Sequence, residues 1–295
     1  MAWKFERVAG PYQGITGGVA WDGRNVLFSA VQEERILKLD PATDNVDVFR
    51  KYTGRTNGVA IGRDGAVYGA QEGGRRVIQF KSDGSTAPTC ELLDGQHHNQ
   101  PTDLVVDRRG RVWFADPHNP VAPYGPPVYP FLERGSILRL ERDRSAWKLR
   151  QITDDTNEPR ALALSADERM LFVAEGNAAM GGACDLRSYA IEDDGSVDEC
   201  SVLYEFDAGE RGIEGLCLDS EGNIIACAGW KQSGAGPLIY VYSPAGELLE
   251  SHVAPCDLPM RCAFGDAGLD SLYLTAGDGC LYRARGIGRR GVTRR

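Results

Sequence analysis

"RTNGVAIGRDGAVYGA", residues 55–70, decides how this chain reads, because the phrase returns further along in altered spelling. It comes back as "QPTDLVVDRRGRVWFAD" (100–116), "EPRALALSADERMLFVAE" (158–175) and "GIEGLCLDSEGNIIACA" (212–228). An apolar run, a polar turn and a second apolar run hold their places each time. The residue opening the first run changes: it is Asn57, Thr102, Arg160 and Glu214. Positions that pack keep their pattern, whereas positions that meet a ligand are free to vary.

Aligned on the first apolar pair, the phrase starts at Val19, Val59, Leu104, Leu162, Leu216 and Ala263. The spacings of 40, 45, 58, 54 and 47 residues fall in or near the range of propeller blades. Turn pairs such as Asp22-Gly23, Asp64-Gly65, Arg109-Gly110 and Glu221-Gly222 separate the two runs, a hairpin signal. Asp167-Glu168 and Leu269-Asp270 fill the same slot without glycine. A third, more polar strand follows each pair ("RILKLD", "RRVIQF", "SILRLE", "LRSYAI", "LIYVYS", "CLYRAR"). Fourth strands fit "VDVFR", "PTCELL", "KLRQI", "SVLYEF" and "LLESHV". The sixth unit lacks its fourth strand, and the N-terminal "WKFERVA" can supply it and close the ring. The expectation is all-β: a six-bladed β-propeller of four-stranded blades over residues 1–288, with a basic, solvated tail at 289–295.

A net charge of -9 argues against a nucleic-acid partner, whose phosphates demand a basic face; only the end, "RARGIGRRGVTRR", is basic. Lys4, Glu6 and Arg7 stand where a signal peptide needs an apolar run, and no long apolar stretch follows, so neither export nor a membrane is expected. The eight cysteines lack CxxC spacing, and Cys217, Cys227 and Cys262 sit inside apolar runs. Reduced thiols in a cytoplasmic protein, monomer or homodimer, are the expectation. One long insertion, 117–135, lies between the second and third strands of blade three; its Tyr124, Tyr129 and Phe131 suggest a packed lid.

The innermost strand of each blade lines the central channel, so the varying residues form a ring at one mouth: Gly17, Asn57, Thr102, Arg160, Glu214 and Arg261. With that ring in view, the chain resembles the gluconolactonase / senescence-marker-protein / luciferin-regenerating-enzyme family. The resemblance rests on "GVAWDGRNVLFSAVQEERILKLDP", "TNGVAIGRDGAVYGAQEGGRRV", "NQPTDLVVDRRGRVWFADP", "RALALSADERMLFVAE", "EGLCLDSEGN" and "CAFGDAGLDSLYLTAG". It implies hydrolysis of sugar or related lactones with one divalent cation, often calcium, held at the mouth by a blade-one glutamate, a blade-four asparagine and a blade-five aspartate. Here those slots hold Gly17, Arg160 and Glu214, while Thr102 and Arg261 replace asparagines of blades three and six. Asn99 and Asp103 fit the family's "N-x-P-N-D" pattern.

A hard cation wants several oxygen ligands, and arginine offers none. With one carboxylate and two guanidiniums the ring carries about +1 where Glu and Asp would give -2, so it repels a dication. The cofactor is therefore none, or one divalent cation, calcium first, with Glu214 its remaining ligand. Two chemistries stay open. In a lactonase-like hydrolase, Glu214 would be the general base, with Arg160 and Arg261 binding the substrate or the oxyanion. Alternatively, a metal-independent lyase, cyclase or isomerase would use Glu214 as acid/base on an anionic small molecule. A non-catalytic small-molecule binder is the third reading. The partner in every case is a small molecule, expected to carry a carboxylate or other anionic group.

Around the ring, His118 follows Asp116-Pro117 at a strand end, where the family often places substrate-contacting residues, and it joins Glu214 and Arg160 as a catalytic candidate. Asn57, Asn99, Thr102, Asp103, Asp116, Arg261 and Trp230 are the substrate-binding candidates. His97 and His98 read as loop residues, and His252 as structural. Glu175 and Asn177 occupy in blade four the place Trp230 and Lys231 hold in blade five. No HExxH or G-x-S-x-G is present.

Overall fold

Each copy of the phrase folds as the two inner strands of a four-stranded antiparallel sheet. The computed structural model, which describes residues 2–118, 128–176 and 184–292, holds six such sheets. Blade one is β2 (Thr16–Trp21), β3 (Val26–Ala30), β4 (Arg35–Leu39) and β5 (Val46–Lys51); blade two is β6 (Thr56–Ile61), β7 (Val67–Gln71), β8 (Arg76–Phe80) and β9 (Thr86–Pro88). A two-stranded hairpin, β10 (Leu92–Leu93) and β11 (Gln96–His97), leads to blade three, which is β12 (Asp103–Val106), β13 (Val112–Asp116), β14 (Ser136–Asp143) and β15 (Ala146–Gln151). Blade four is β16 (Pro159–Leu164), β17 (Met170–Gly176), β18 (Cys184–Ala190) and β19 (Ser201–Glu205). Blade five is β20 (Ile213–Leu218), β21 (Ile224–Trp230), β22 (Ser233–Tyr242) and β23 (Leu248–Val253). In blade six, β24 (Pro259–Gly265), β25 (Ser271–Ala276) and β26 (Leu281–Arg285) are completed by β1 (Phe5–Ala9). Inner strands touch in chain order and β24 meets β2, so the row closes into a six-bladed β-propeller. Among the described residues no helix is long and apolar enough to cross a membrane.

The ring closes where the sequence places the closure. β1 pairs antiparallel with β26, Glu6 opposite Arg283 and Phe5 opposite Ala284. The buried Arg283 donates to Glu6 Oε1 (2.8 Å) and to both Asp44 oxygens (2.6 and 3.1 Å), joining the closing strand to blade one. Trp3 stacks on His252 of blade five with ring centroids 4.0 Å apart, which gives that histidine its structural role.

Packing follows the same cycle. The buried apolar side chains gather in six clusters, one at each seam between neighbouring blades. The seam of blades five and six, for instance, holds Ile225, Ile239 and Val241 against Phe264, Leu272 and Leu274. Fully burying a side chain of this kind contributes about 1.5–3 kcal/mol. At the axis of blades two and five the inner strands approach so closely that the second residue of the phrase must be glycine. A Cβ on Gly58 would stand 2.8 Å from the Thr102 carbonyl oxygen, and one on Gly215 only 2.2 Å from that of Met260.

The aspartate ending an inner strand shapes the turn that follows. Asp107 Oδ1 accepts from the N–H groups of Arg109 and Arg111 (2.9 Å each), and Asp219 Oδ1 from Glu221 (2.9 Å) and Asn223 (2.8 Å). Where the turn glycine is missing, Glu168 (φ 60°) and Leu269 (φ 50°) adopt the left-handed conformation themselves.

Two expectations are corrected. The fourth strand of blade two is Thr86–Pro88 rather than the "PTCELL" run at 88–93: Pro88 has no N–H to continue a ladder, and Leu92–Leu93 turns back through Asp94 and Gly95, both at positive φ, to pair with Gln96–His97. The start of the basic tail is docked rather than solvated. Arg289 Nη1 donates to Asp219 Oδ2 (2.6 Å), Arg290 O accepts from Ser220 N–H (2.7 Å), and Gly291 bridges to Asp219. Of the insertion, 119–127 and with it Tyr124 lie outside the described residues. Its far end is held by β11, since His97 N–H donates to Pro130 O (2.8 Å) and Leu132 N–H to His97 O (2.9 Å), with the Tyr129 and Phe131 rings 5.0 Å apart.

Candidate functional site at the channel mouth

The varying residue of the phrase has a structural cause for its exposure to the channel. In blades two, four and five the pairing of the first and second strands skips one residue, and the skipped residues are Asn57, Arg160 and Glu214. Register also breaks between Gly17 and Val19 in blade one, and between Pro259 and Cys262 in blade six, where Arg261 lies. A β-bulge leaves the extra residue out of the ladder and re-aims its side chain, here toward the mouth.

Glu214 and Arg160 form the centre. Arg160 Nη1 donates to Glu214 Oε1 (2.8 Å) and to the Arg211 carbonyl (3.0 Å); Nη2 donates to Glu158 Oε1 (3.0 Å) and to the Gly176 carbonyl (3.1 Å). Both terminal nitrogens are thus engaged twice. Burial works to lower the guanidinium's pKa, but the Glu214 and Glu158 carboxylates outweigh it and raise it. Gly176 makes the room, since a Cβ there would lie 2.1 Å from Arg160 Nε. Arg211 brings a second guanidinium: its Nε lies 2.8 Å from the same Glu214 oxygen, and its Cζ sits 5.0 Å from the centroid of the Trp230 ring. Trp230 is anchored in turn by Nε1–H to Ser233 Oγ (2.6 Å). Glu214 Oε2 accepts no hydrogen bond among the described residues.

Arg261 spans the channel. From blade six its Nη2 donates to the Arg160 carbonyl of blade four (3.1 Å) and reaches the Thr102 carbonyl of blade three (3.5 Å), while Nε lies 3.6 Å from Asp103 Oδ1. Thr102 Oγ1 donates to the same Arg160 carbonyl (3.2 Å). Burial raises the Asp103 carboxyl above its ordinary value, with Arg261 and the Leu104 and Leu162 N–H groups pulling the other way. Beyond this layer, away from Glu214, the inner strands line an open channel cavity of about 710 Å³ with a mixed lining that includes Val59, Leu162, Leu216 and Cys262 beside Asp103 and Arg261.

The other sequence candidates divide between the mouth and a second polar group. Asn57 is buried at the mouth with Oδ1 lacking any partner. Asn99, Asp116 and His118 belong to blade three. Asp116 Oδ2 accepts the Asn99 N–H (2.6 Å), and Asn99 Nδ2 donates to Arg134 O (3.1 Å). His98, expected as a loop residue, is buried, 3.3 Å from Asp116 Oδ1 and edge-on to Phe114. His118 is tied through its N–H to Asn157 O (3.0 Å), its Nδ1 buried without a partner. No direct hydrogen bond among the described residues joins this group to Glu214. Glu175 does for blade four what Asp116 does for blade three, accepting the N–H groups of Asn157 (3.2 Å) and Glu158 (2.6 Å). Asn177 lies outside the described residues. Sequence reasoning missed Arg211, Glu158 and Gly176. Arg211, three residues before Glu214 in "GERGIEG", carried the only available signal, a cation just ahead of the varying acid.

A dication does not fit the mouth. The one ring carboxylate has two guanidiniums on a single oxygen, Arg160 supplies only donors, and a Cβ on Gly17 would stand 2.7 Å from the Asn57 carbonyl oxygen, leaving no space for a blade-one carboxylate. Among the described residues no three His, Cys, Asp or Glu side chains converge to hold a metal.

The closed six-bladed ring, with bulged inner-strand residues gathered into an ionic cluster at one channel mouth, defines the class of fold: a six-bladed β-propeller. Residues 15–278 match the family described as SMP-30/Gluconolactonase/LRE-like region, and the chain belongs to it. It is 26% identical to a gluconolactonase of Zymomonas mobilis, over 91% of this chain and 80% of that protein. It is 23% identical to a pentonolactonase of Haloferax volcanii, over 89% and 81% respectively. Its fold superposes on a gluconolactonase from Xanthomonas campestris with a TM-score of 0.80, at 24% identity, covering 96% of this chain and 89% of that one.

Proposed function

We propose that this protein is a hydrolase of carboxylic esters, a lactonase that opens a small cyclic ester at the channel mouth with Glu214 as general base. The lactonase names of its relatives support the reaction class. The observation that carries the residue assignment is the asymmetry of Glu214: two guanidiniums hold Oε1, and Oε2 is left open. Oε2 takes a proton from water as the water oxygen attacks the ester carbonyl. The negative charge arising on the carbonyl oxygen is met by Arg211, whose guanidinium is the less committed of the two. The ring C–O bond then breaks, and the proton on Glu214 passes to the departing alkoxide, yielding a hydroxy acid. Arg160 and Arg261, expected from the sequence to hold the oxyanion, instead brace the site: the terminal nitrogens of Arg160 go to Glu158, Glu214 and backbone carbonyls, and those of Arg261 to the carbonyls of Met260, Arg160 and Thr102. Asn57 Oδ1, an acceptor without a partner, suits a substrate hydroxyl.

The test is hydrolysis of aldonolactones followed by acid release, measured above the spontaneous rate. Glu214→Gln keeps the shape and removes the proton acceptor, so turnover falls about 10²–10⁴-fold with the fold intact. Wild-type turnover in that variant would move the base elsewhere, with His118 next to be tried.

A further inference from the structure

All eight cysteines are among the described residues and none is in a disulfide. Three of them meet where the inner strands of blades five and six run side by side. Cys262 Sγ lies 3.4 Å from Cys217 Sγ, and Cys227, on the strand paired with that of Cys217, packs against Cys262 in the same seam. Cys217, which is partly exposed, and the buried Cys262 both line the channel cavity, which offers a small oxidant a route to the pair through Cys217. Cys262 also follows Arg261, the residue that spans the channel.

We infer that Cys217 and Cys262 are an oxidation site, at which hydrogen peroxide converts the thiol pair into a disulfide joining the inner strands of blades five and six. Hydrogen bonding with Cys217 and Cys227, with Arg261 adding its charge, holds the Cys262 thiol below its ordinary pKa, and burial opposes it. The thiolate is the nucleophile. Its sulfur attacks one peroxide oxygen, the O–O bond breaks, and Cys262 becomes a sulfenic acid as hydroxide leaves. The Cys217 sulfur then attacks the sulfenic sulfur, an S–S bond forms, and the sulfenic oxygen departs as water with the Cys217 proton. Two thiols are oxidised by two electrons, and the peroxide is reduced to water. Closing the sulfurs from 3.4 Å to the roughly 2.05 Å of a disulfide needs only a small shift of strands already in contact. The bond would form directly beside Arg261, which carries its effect to the Arg160 and Thr102 carbonyls at the mouth.

The experiment treats the full chain with hydrogen peroxide, alkylates the remaining thiols, and maps peptides by mass spectrometry with and without reductant. A reductant-sensitive peptide pair containing Cys217 and Cys262, two hydrogens lighter than the sum of its parts, is expected before the more accessible Cys90 and Cys200 are lost from the alkylated pool. In the double variant Cys217→Ser, Cys227→Ser, which removes both thiols packed on Cys262, Cys262 should stop at the sulfenic acid and be trapped by dimedone. Recovery of Cys217 and Cys262 as separate alkylated thiols while Cys90 and Cys200 oxidise would overturn the assignment. The wild-type map decides the question even where the variant does not fold.

Discussion

Arg261 of blade six donates a hydrogen bond to the backbone carbonyl of Arg160 on blade four, 3.1 Å away across the channel. A side chain that ties strands so far apart in the ring holds the mouth in shape, and its loss leaves Asp103 buried without its cation. Arg261→Ala should destabilise the fold by about 3–5 kcal/mol, the scale for removing one partner of a buried ion pair. Asp103→Asn in the same chain removes the stranded charge. Chemical denaturation of both single variants and the double should therefore show the double less destabilised than their sum. Strict additivity would mean the two side chains do not act on each other.

Ring closure can be tested at its other end. Deleting residues 2–9 removes the outer strand of blade six, exposes an edge and strips Arg283 of Glu6, so the thermal midpoint should fall sharply. Asp44 gives a pH signature for the same contact. Hydrogen bonds from Arg283 hold its carboxyl below the ordinary value. A depressed acid adds stability above its unfolded-state pKa and loses it as pH falls through the folded one. The midpoint difference between wild type and Asp44→Asn should therefore be present at neutral pH, begin to shrink only below the ordinary aspartate value of about 3.9, and vanish once the pH is below the depressed folded-state value. Since Asp44 is half exposed, the difference will be small, and a gap that persists in acid would assign it to something other than charge.

The frame was legible because strand alternation and a short turn between the two inner strands repeat in every blade, and each copy can be checked against the others. Without glycine the pair Asp167-Glu168 puts Glu168 in the glycine's left-handed place as expected, whereas in blade six that place falls to Leu269, one residue before the expected Asp270. What the letters hide is reach. Arg261 and Arg160 share a ring in sequence, but only coordinates reveal that their donors turn inward to carbonyls and carboxylates. The bulges that expel Asn57, Arg160 and Glu214 leave no mark in composition. Arg211 is barely marked in the sequence because it stands outside the repeated phrase, in the loop leading into blade five, and meets Glu214 and the Trp230 ring only in the fold.

Arg211 is the residue on which the proposed chemistry most depends after Glu214. Arg211→Ala should lower kcat/KM by about 1.5–3 kcal/mol, the scale of a hydrogen bond to a charged group, or roughly ten- to a hundredfold. Arg211→Lys keeps the charge but loses the planar stack on Trp230, so it should recover activity only in part. An unchanged kcat/KM in Arg211→Ala would remove this side chain from the reaction.

The metal question yields the prediction that divides this chain from its family's usual arrangement. A dication on Glu214 would have to displace Arg160 or Arg211 from Oε1, or stand beside both. Displacing Arg160 is costly, because Glu158 and the Gly176 carbonyl would lose their donor too. Standing beside both sets like charges together at a site where Glu214 and Arg160 are largely shielded from water. Linkage turns this into a measurement. A cation bound at a hundred times its Kd would stabilise the fold by about 2.7 kcal/mol. For a domain of this size that is a midpoint shift of about 5–10 °C. We expect no such shift when calcium, zinc or manganese is added singly to chelator-treated protein, and no loss of lactone hydrolysis on chelation. Activity lost to chelator and restored by one of these ions would mean that Arg160 swings out of the mouth when metal arrives.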